Sequence, residues 1–383
     1  MVRHTEKFLP YSRQAIGESD IEAVISALTS GWLTTGPKVS EFETAVAAFT
    51  GANFAVAVSS GTAALHGAVK ALAVVPGDEV IVPAMTFAAT ANAVVFEGGT
   101  PVFADVDPET LLLDLESVKS KITERTRAII AVDYAGQPCD YDTLNAVAAQ
   151  HSLQLIADAS HSLGASYRGR PCGTLATLST FSFHPVKPMT TAEGGMITTA
   201  NPDLAQICRN FRNHGITTDH RQREATGSWF YEMVDLGYNY RLSDLHCALG
   251  LSQLTRLPAW MEQRRRIAAT YDEAFLQIEE IHPLRALGDR TSAHHLYVIR
   301  LKGRDRATVY RYLREQGIGV NVHYIPVHYH PFYQQRFGTK PGICPAAEAA
   351  YEEILSLPIF PGMRDEDCSR VIESVFEAVE RTV

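Results

Sequence analysis

Two segments of the chain place a potentially catalytic side chain, a lysine or an aspartate, at the end of an apolar run. Lys187 lies in HPVKPM (184–189), between apolar residues and two prolines. An apolar setting lowers the pKa of a lysine, so that its amine can act as a nucleophile. Asp158 ends another apolar run and is followed by His161. A carboxylate there is costly to bury without a cationic partner, such as a protonated ring nitrogen.

Two further segments could hold a phosphate and a flat ring. In SSGTAAL (59–65), Gly61 and Thr62 lie in a small turn that opens a predicted helix. Free backbone N–H groups and the helix dipole at such a turn attract phosphate. Phe87 follows another apolar run and could lie over a ring. The turn could equally be a plain helix start, and Phe87 could be a core aromatic.

These four features together are what pyridoxal 5′-phosphate (PLP) requires. A lysine forms the Schiff base with this cofactor, and an acid keeps the pyridine nitrogen protonated so that the ring can absorb electrons. Taken singly, Asp158 could cap the next segment and Lys187 could be a solvated surface lysine. Their joint order along the chain favours a PLP site.

The elements that must position these side chains are short strands alternating with helices. The predicted strands are mostly continuous in hydrophobicity, which suits a mainly parallel sheet that is covered on both faces. In such sheets ligands bind beyond the carboxyl ends of the strands, where the four features lie. The predicted strands are Phe54–Val58, Glu79–Val82, Val102–Ala104, Ala128–Val132, Gln154–Ala157, Ser179–Phe183 and Met196–Thr198.

The pattern changes after about residue 240. Helices are predicted over Leu242–Leu254 and Ala259–Ile278, with Pro258 as the break between them. We expect a large PLP-binding α/β domain over residues 1–250. A smaller α+β domain is predicted over residues 251–383.

Composition and charge exclude several classes of protein. The 383 residues carry a net charge of −9, whereas nucleic-acid binders usually show a basic patch. No apolar stretch is long enough for a transmembrane helix, and the start lacks the apolar region of a secretory signal. The six cysteines lie far apart without a CxxC pair, which fits reduced thiols in the cytoplasm.

Neither a metal site nor a dinucleotide site is expected. Asp105 and Asp107 precede Pro108 and fit a turn better than a metal pair. The histidines of segment 323–330 have mixed spacing and no neighbouring cluster of cysteine or glutamate. No GxGxxG motif follows an early strand, which argues against a dinucleotide-dependent dehydrogenase.

The sequence resembles the fold-type I PLP enzymes and, among them, the DegT/StrS family of nucleotide-sugar aminotransferases. The resemblance runs nearly end to end, and it implies a mainly parallel seven-stranded sheet with a small C-terminal α+β domain. It is carried by SSGTAAL (59–65), VPAMTFAATANAV (82–94), VDYAGQPCD (132–140), IADASHSLGASYRG (156–169), FSFHPVKPMTTAEGGMI (181–197), FRNHGI (211–216) and LGYNYRLSDLHCALGLSQL (236–254).

The resemblance implies a role for each candidate residue. Lys187 looks like the lysine that binds the cofactor covalently, and Asp158 looks like the partner of the pyridinium nitrogen. His161 matches the residue that contacts the ring hydroxyl, and Phe87 matches the aromatic that stacks on the ring. The residues that match the phosphate-binding groups are Gly61, Thr62, Ser182 and Asn239. Among them, Asn239 matches a residue that reaches the phosphate from the neighbouring subunit. A homodimer with shared sites is therefore implied.

The resemblance also implies the reaction. Family members with a histidine at the lysine position are dehydratases, so Lys187 indicates a transaminase. We expect L-glutamate to give up its amino group and leave as 2-oxoglutarate, while the Lys187 amine moves a proton at the substrate carbon. The amino group would then pass to a keto sugar, with Asp158 as electrostatic support.

Finer matches point to one branch of the family. The segment VNVHYIPVHYHPFY (320–333) resembles enzymes of pseudaminic acid biosynthesis that aminate a UDP-linked 4-keto-6-deoxy-N-acetyl-hexose at C4. The product would be UDP-4-amino-4,6-dideoxy-N-acetyl-β-L-altrosamine. Substrate contacts are expected from His323, Tyr324 and His328. Arg241 could touch the nucleotide diphosphate, or could form an ion pair at a helix start.

Two alternative functions are also compatible with the sequence. One is a C4 aminotransferase for a D-configured UDP- or dTDP-linked 4-keto-6-deoxy sugar. The other is a PLP-binding regulatory protein without turnover, which would show no half-reaction with glutamate.

Overall fold

The computed structural model describes residues 8–276 and 278–381, so the outermost residues of the two predicted domains lie outside that part of the chain. Its strands are β1 (Phe54–Val58), β2 (Glu79–Pro83), β3 (Thr100–Ala104), β4 (Thr126–Val132), β5 (Gln154–Asp158), β6 (Ser166–Tyr167), β7 (Arg170–Pro171), β8 (Leu178–Ser182), β9 (Gly195–Thr199), β10 (Ile281–Pro283), β11 (Arg290–Thr291), β12 (Tyr297–Leu301) and β13 (Ile354–Leu357).

Helices connect and cover these strands. They are α1 (Glu18–Leu28), α2 (Pro37–Thr50), α3 (Gly61–Ala71), α4 (Ala88–Phe96), α5 (Leu115–Lys121), α6 (Tyr141–Gln150), α7 (Pro202–Phe211), α8 (His220–Ala225), α9 (Asp244–Phe275), α10 (Arg306–Glu315), α11 (Pro331–Phe337), α12 (Pro345–Glu353) and α13 (Asp365–Glu380). None of the helices in the described part of the chain is both long and apolar enough to cross a membrane.

The large sheet has seven strands in the order β1-β9-β8-β5-β4-β2-β3. Strands β8, β5, β4, β2 and β3 pair in parallel, and β9 is antiparallel to both of its neighbours. Successive side chains of a strand point to opposite faces, and nearly all residues of these strands are buried. Both faces are therefore covered. The predicted α/β fold with a mainly parallel seven-stranded sheet is confirmed.

Pro258 does not end a helix, which corrects the prediction of two helices in this region. A single helix, α9, runs from Asp244 to Phe275 with Pro258 inside it. An interior proline removes one hydrogen bond and costs about 3 kcal/mol. Leu254 and Leu257 before the proline and Trp260 after it are buried in the main hydrophobic core. Burial of these side chains offsets the cost, so packing overrides the local signal.

A second hydrophobic cluster lies in the C-terminal part of the chain. It packs the antiparallel sheet β10-β12-β13 against side chains of α10, α13 and the end of α9. This cluster supports a separate C-terminal unit. The boundary expected at residue 250 falls within α9, and the division into two domains stays a prediction.

Candidate active site

A cavity of about 550 Å³ lies at the carboxyl ends of the parallel strands. Strands β1, β2, β4, β5 and β8 all run toward it, because residues at or just after their last positions line the cavity. The predicted site residues that it brings together are Gly61, Thr62, Phe87, Asp158, His161, Ser182, Lys187, His323 and Tyr324. Residues more than 250 positions apart in the sequence thus form one site.

Lys187 lies in the loop after β8, in a tight turn where its backbone N–H donates to the His184 carbonyl at 2.9 Å. The loop is tied to the sheet because Phe183 and Gly194 share a backbone hydrogen bond of 2.9 Å. Burial lowers the pKa of Lys187 from 10.5 to about 8, against the opposing attraction of Asp158. Near neutral pH this lysine is therefore about one-tenth neutral, nucleophilic amine, whereas an ordinary lysine is almost wholly charged.

The lowered pKa makes a prediction for the apoenzyme. The rate at which it binds PLP covalently is expected to rise with pH, with a midpoint near 8, because only the neutral amine attacks an aldehyde. Stopped-flow absorbance at a series of pH values measures this rate. In Asp158→Asn the midpoint is expected to fall further, since the attraction that favours the ammonium is removed. A midpoint near the ordinary lysine value would contradict the described surroundings of Lys187.

Asp158 ends β5 and is 5% exposed. The Thr90 hydroxyl donates to its Oδ2 at 2.7 Å, and the Ser160 hydroxyl donates to its Oδ1 at 2.6 Å. Thr86 continues this network, with its hydroxyl oxygen 2.8 Å from that of Thr90. The carboxylate is therefore held in one orientation at the cavity wall. A buried, oriented carboxylate fits a cationic ring nitrogen, as the PLP site requires.

His161 offers a polar atom that has no partner within the protein. Its imidazole is 4% exposed, and its Nε2 lies 3.1 Å from the Tyr324 hydroxyl. The other ring nitrogen, Nδ1, is buried without a hydrogen-bond partner among the described residues. Burial, followed by the charge of Lys187, lowers the pKa of His161 well below its usual value, so the ring is neutral. The unpartnered Nδ1 fits a ligand hydroxyl.

The turn after β1 forms a close-packed cradle at the start of α3. Ser60 caps this helix, and its hydroxyl accepts the Ala63 N–H at 3.1 Å. A Cβ at Gly61 would lie 2.7 Å from the Cβ of Ser182, and one at Gly195 would lie 2.3 Å from the Ser60 carbonyl oxygen. Only glycines allow the helix start to approach β8 and β9 this closely. The cradle fits the phosphate of PLP.

Gly61→Ala is therefore expected to weaken PLP binding by about tenfold and to lower the melting temperature, because the added methyl displaces Ser182. Fluorescence titration of the apoenzyme with PLP measures the affinity. Gly31→Ala is the matched control, since nothing lies within 4 Å of a Cβ at that position. Equal affinities for the two variants would show that the cradle does not hold the phosphate.

Phe87 is not a core aromatic, which was the alternative left open by the sequence. It is 60% exposed, precedes α4 directly and lines the cavity. Its ring centroid lies 5.9 Å from that of Tyr324. An exposed ring at a cavity mouth is available to stack on a flat ligand.

Three predicted site residues do not line the cavity. His328 is fully buried and its Nε2 lies 2.9 Å from Glu348 Oε1, so it cannot contact a ligand in the cavity, contrary to expectation. Arg241 lies in a separate pocket, where its guanidinium donates to Asn213 Oδ1 at 2.9 Å. Because Asn213 is neutral, this contact is a hydrogen bond and not an ion pair. Asn239 is exposed and pairs with Asn213 through the backbone. The expected contact of Asn239 with the phosphate across a dimer and that of Arg241 with the nucleotide diphosphate stay predictions.

One family matches nearly the whole chain. The DegT/DnrJ/EryC1/StrS aminotransferase family matches residues 14–376. The chain belongs to this family. Its resemblance to the family, inferred from the sequence, is therefore confirmed.

The chain is similar to proteins from several bacteria. The chain is 42% identical to the spore coat polysaccharide biosynthesis protein SpsC of Bacillus subtilis, over 99% of both proteins. The sugar aminotransferase Spr1654 of Streptococcus pneumoniae, solved in PLP and PMP forms, is 35% identical with a TM-score of 0.93 over 98% of this chain and all of that one. Helicobacter pylori PseC, an aminotransferase involved in pseudaminic acid biosynthesis, is 33% identical with a TM-score of 0.92 over the same shares.

These relatives confirm the predicted cofactor and enzyme class. The chain is a PLP-dependent aminotransferase of a family that acts on sugars. Within the site, the exact role of each residue stays a proposal.

Several residues that line the cavity were not among the site residues predicted from the sequence. They are Tyr11, Thr90, Ser160, His295 and Asn321. Ser160 lies within the DASH segment and Thr90 lies one helical turn after Phe87, so local spacing could have indicated both. Asn321 lies within segment 320–333, which the sequence had already indicated, whereas no local pattern marks Tyr11 and His295.

Proposed function

We propose that this aminotransferase moves the amino group of L-glutamate to C4 of a UDP-linked 4-keto-6-deoxy-N-acetyl-hexose. The product would be UDP-4-amino-4,6-dideoxy-N-acetyl-β-L-altrosamine, an intermediate of pseudaminic acid. The observation that carries the amino transfer is a nucleophilic lysine, Lys187, in one cavity with the buried carboxylate of Asp158. The similarity to PseC supports a sugar of pseudaminic acid biosynthesis, and the similarity to SpsC supports a sugar destined for a polysaccharide. The expected cytoplasmic location stays a prediction.

Each group at the site has a definite task in this proposal. Bound PLP supplies a ring that takes up the electron pair released when a proton leaves the substrate carbon. Lys187 Nζ takes a proton from Cα of glutamate and, in the second half of the reaction, returns a proton at C4 of the sugar. The Asp158 carboxylate stabilises positive charge at the ring nitrogen. His161 donates or accepts a hydrogen bond at the ring hydroxyl.

The wall contributed by the C-terminal part of the chain fits an uncharged sugar. Burial lowers the pKa of His323 to about 4, so its imidazole is neutral. Its Nδ1 lies 2.8 Å from the Ser356 hydroxyl, which orients the ring. Asn321 and Tyr324 complete this wall with neutral polar groups, and Tyr11 from the N-terminal part of the chain adds another to the cavity. Such groups hydrogen-bond hydroxyl and acetamido substituents without needing a counter-charge.

We also propose a homodimer, as the sequence led us to expect. Segment 229–238 exposes many large apolar side chains, and Trp229 is 85% exposed. An apolar patch of this kind usually marks a surface that a partner covers. Asn239 and Arg241 directly follow the segment, so covering it with a second copy would carry both toward the partner's site.

Subunit complementation tests the shared site. Asn239→Asp is expected to repel the phosphate and Lys187→Ala to remove the amine, so each variant alone is inactive. Mixed dimers contain one site with both native residues, and activity is expected to return on mixing after dissociation. A mixture that stays inactive, although exchange is shown by tagged subunits, would contradict sharing of the site.

A substrate panel tests the reaction. PLP-loaded enzyme and L-glutamate are incubated with UDP-4-keto-6-deoxy-N-acetyl-hexoses of both C5 configurations and with a dTDP-linked counterpart. Mass spectrometry and NMR identify the aminated sugar. We expect the L-altrosamine product; amination of only a D-configured UDP or dTDP sugar would replace the proposed substrate. If glutamate alone fails to convert bound PLP to the amine form, glutamate is not the amino donor and that part of the proposal is wrong.

A further inference from the structure

His295 lies on the cavity wall directly beside His161. The two ring centroids are 4.3 Å apart, with 48° between the ring planes. His295 is 2% exposed, and its Nδ1 has no hydrogen-bond partner within the described part of the chain. Its ring is thus held by packing, and the packing partner is the imidazole of His161, whose own Nδ1 also has no hydrogen-bond partner among the described residues.

A buried arginine, Arg264, fixes the backbone of the segment that carries His294 and His295. Arg264 of α9 is 1% exposed and donates to the carbonyl oxygens of His294 at 3.0 Å and of Ile359 at 2.9 Å. The same NH1 group lies 3.5 Å from the carbonyl oxygen of His295. A buried guanidinium needs such acceptors, so this arrangement resists displacement of the segment.

A glycine turn brings the same segment close to His161. Gly136 has a φ of 104°, and its carbonyl accepts the Ala293 N–H at 3.0 Å. A Cβ at Gly136 would lie 2.9 Å from the His294 backbone nitrogen and 3.0 Å from the His161 carbonyl oxygen. The turn therefore clamps the two histidine-bearing segments together at a spacing that only glycine allows.

Both imidazoles are neutral in this arrangement. Burial and the charge of Lys187 lower the pKa of each ring well below its usual value, and Arg264 adds to the effect at His295. Two neutral rings can pack without charge repulsion. His161 therefore has a fixed contact on one side and the Tyr324 hydroxyl at Nε2.

We infer that His295 is a positioning residue for His161. Its ring holds the His161 imidazole in the orientation that leaves Nδ1 free for bound PLP and Nε2 on Tyr324. The inference rests on the proposed contact of His161 with the cofactor. What matters in this role is the flat ring of His295 and not its nitrogen atoms.

Cofactor titration tests the inference without measuring turnover. In His295→Ala we expect PLP affinity to fall by about tenfold and the pH midpoint of the visible cofactor band to shift by about one unit. In His295→Phe, which keeps a flat ring on His161, both values are expected to stay near those of the unaltered enzyme. His295→Leu, which fills the space without a flat ring, replaces the alanine variant if that variant does not fold.

The outcomes separate the inference from the function it rests on. Unchanged values in the alanine or leucine variant overturn the inference, and so does a phenylalanine variant that behaves like alanine, since the nitrogen would then be the active group. His161→Ala in parallel shows whether His161 contacts the cofactor at all. His328→Ala is the matched control, because it removes a buried imidazole outside the cavity and should lower stability without moving the band.

Discussion

Lys187→Ala is expected to abolish covalent binding of PLP and to lower transamination by at least about 10⁴-fold. No other lysine lines the cavity within residues 8–276 and 278–381, so no amine can replace it. Borohydride reduces the Schiff base of the unaltered enzyme, bleaching its visible band irreversibly and fixing the cofactor mass on the peptide that contains Lys187. The variant should show neither bleaching nor the added mass, and its rate with glutamate should fall to background.

Lys119→Ala serves as the control for this experiment. Lys119 lies at the surface on α5 and pairs with Glu116 at 2.7 Å, far along the chain from the site. Its replacement should leave both the bleaching and the rate unchanged. If Lys187→Ala kept its bleaching, the covalent attachment would lie elsewhere and the assignment of the site would be wrong.

Asp158→Asn is expected to retain PLP and to lower turnover by about 10²–10³-fold, because an amide cannot stabilise positive charge at the ring nitrogen. The shape and most hydrogen bonds of the side chain are preserved, so the melting temperature should change little. Steady-state rates together with cofactor content separate loss of chemistry from loss of cofactor. Turnover equal to that of the unaltered enzyme would remove Asp158 from the proposed mechanism.

A graded variant strengthens this test. Thr90→Val removes the hydroxyl that donates to Asp158 Oδ2 but leaves the carboxylate in place. We expect an intermediate loss of about tenfold, corresponding to one hydrogen bond to a charged group. A Thr90→Val effect as large as that of Asp158→Asn would mean that orientation of the carboxylate, and not its charge, dominates.

The seven strands of the large sheet could be predicted because their signal is local. Each is a short and mostly apolar run, which is the pattern of a strand buried on both faces. Once the sheet is mainly parallel, its carboxyl ends must lie at one edge, so Asp158 and Lys187 were expected near one another. The structure places them together in the cavity.

Other features could not be read from nearby residues. Pro258 indicated a helix end, yet α9 continues through it because the side chains on both sides are buried. His328 was expected at the substrate, yet its partner is Glu348, twenty positions away. His295 carried no local signal, although it packs on His161 in the cavity.

The amino-acid sequence by itself determined which groups are present and the order in which they follow the strands, since strand formation and the reactivity of a side-chain type are local properties. Only the tertiary structure decided how reactive these groups are and which of them meet. The amine of Lys187 has a pKa of about 8, and the imidazoles of His161 and His323 are neutral, because segments distant in sequence exclude water around them. Solvent exclusion and close contact are set by packing over the whole chain.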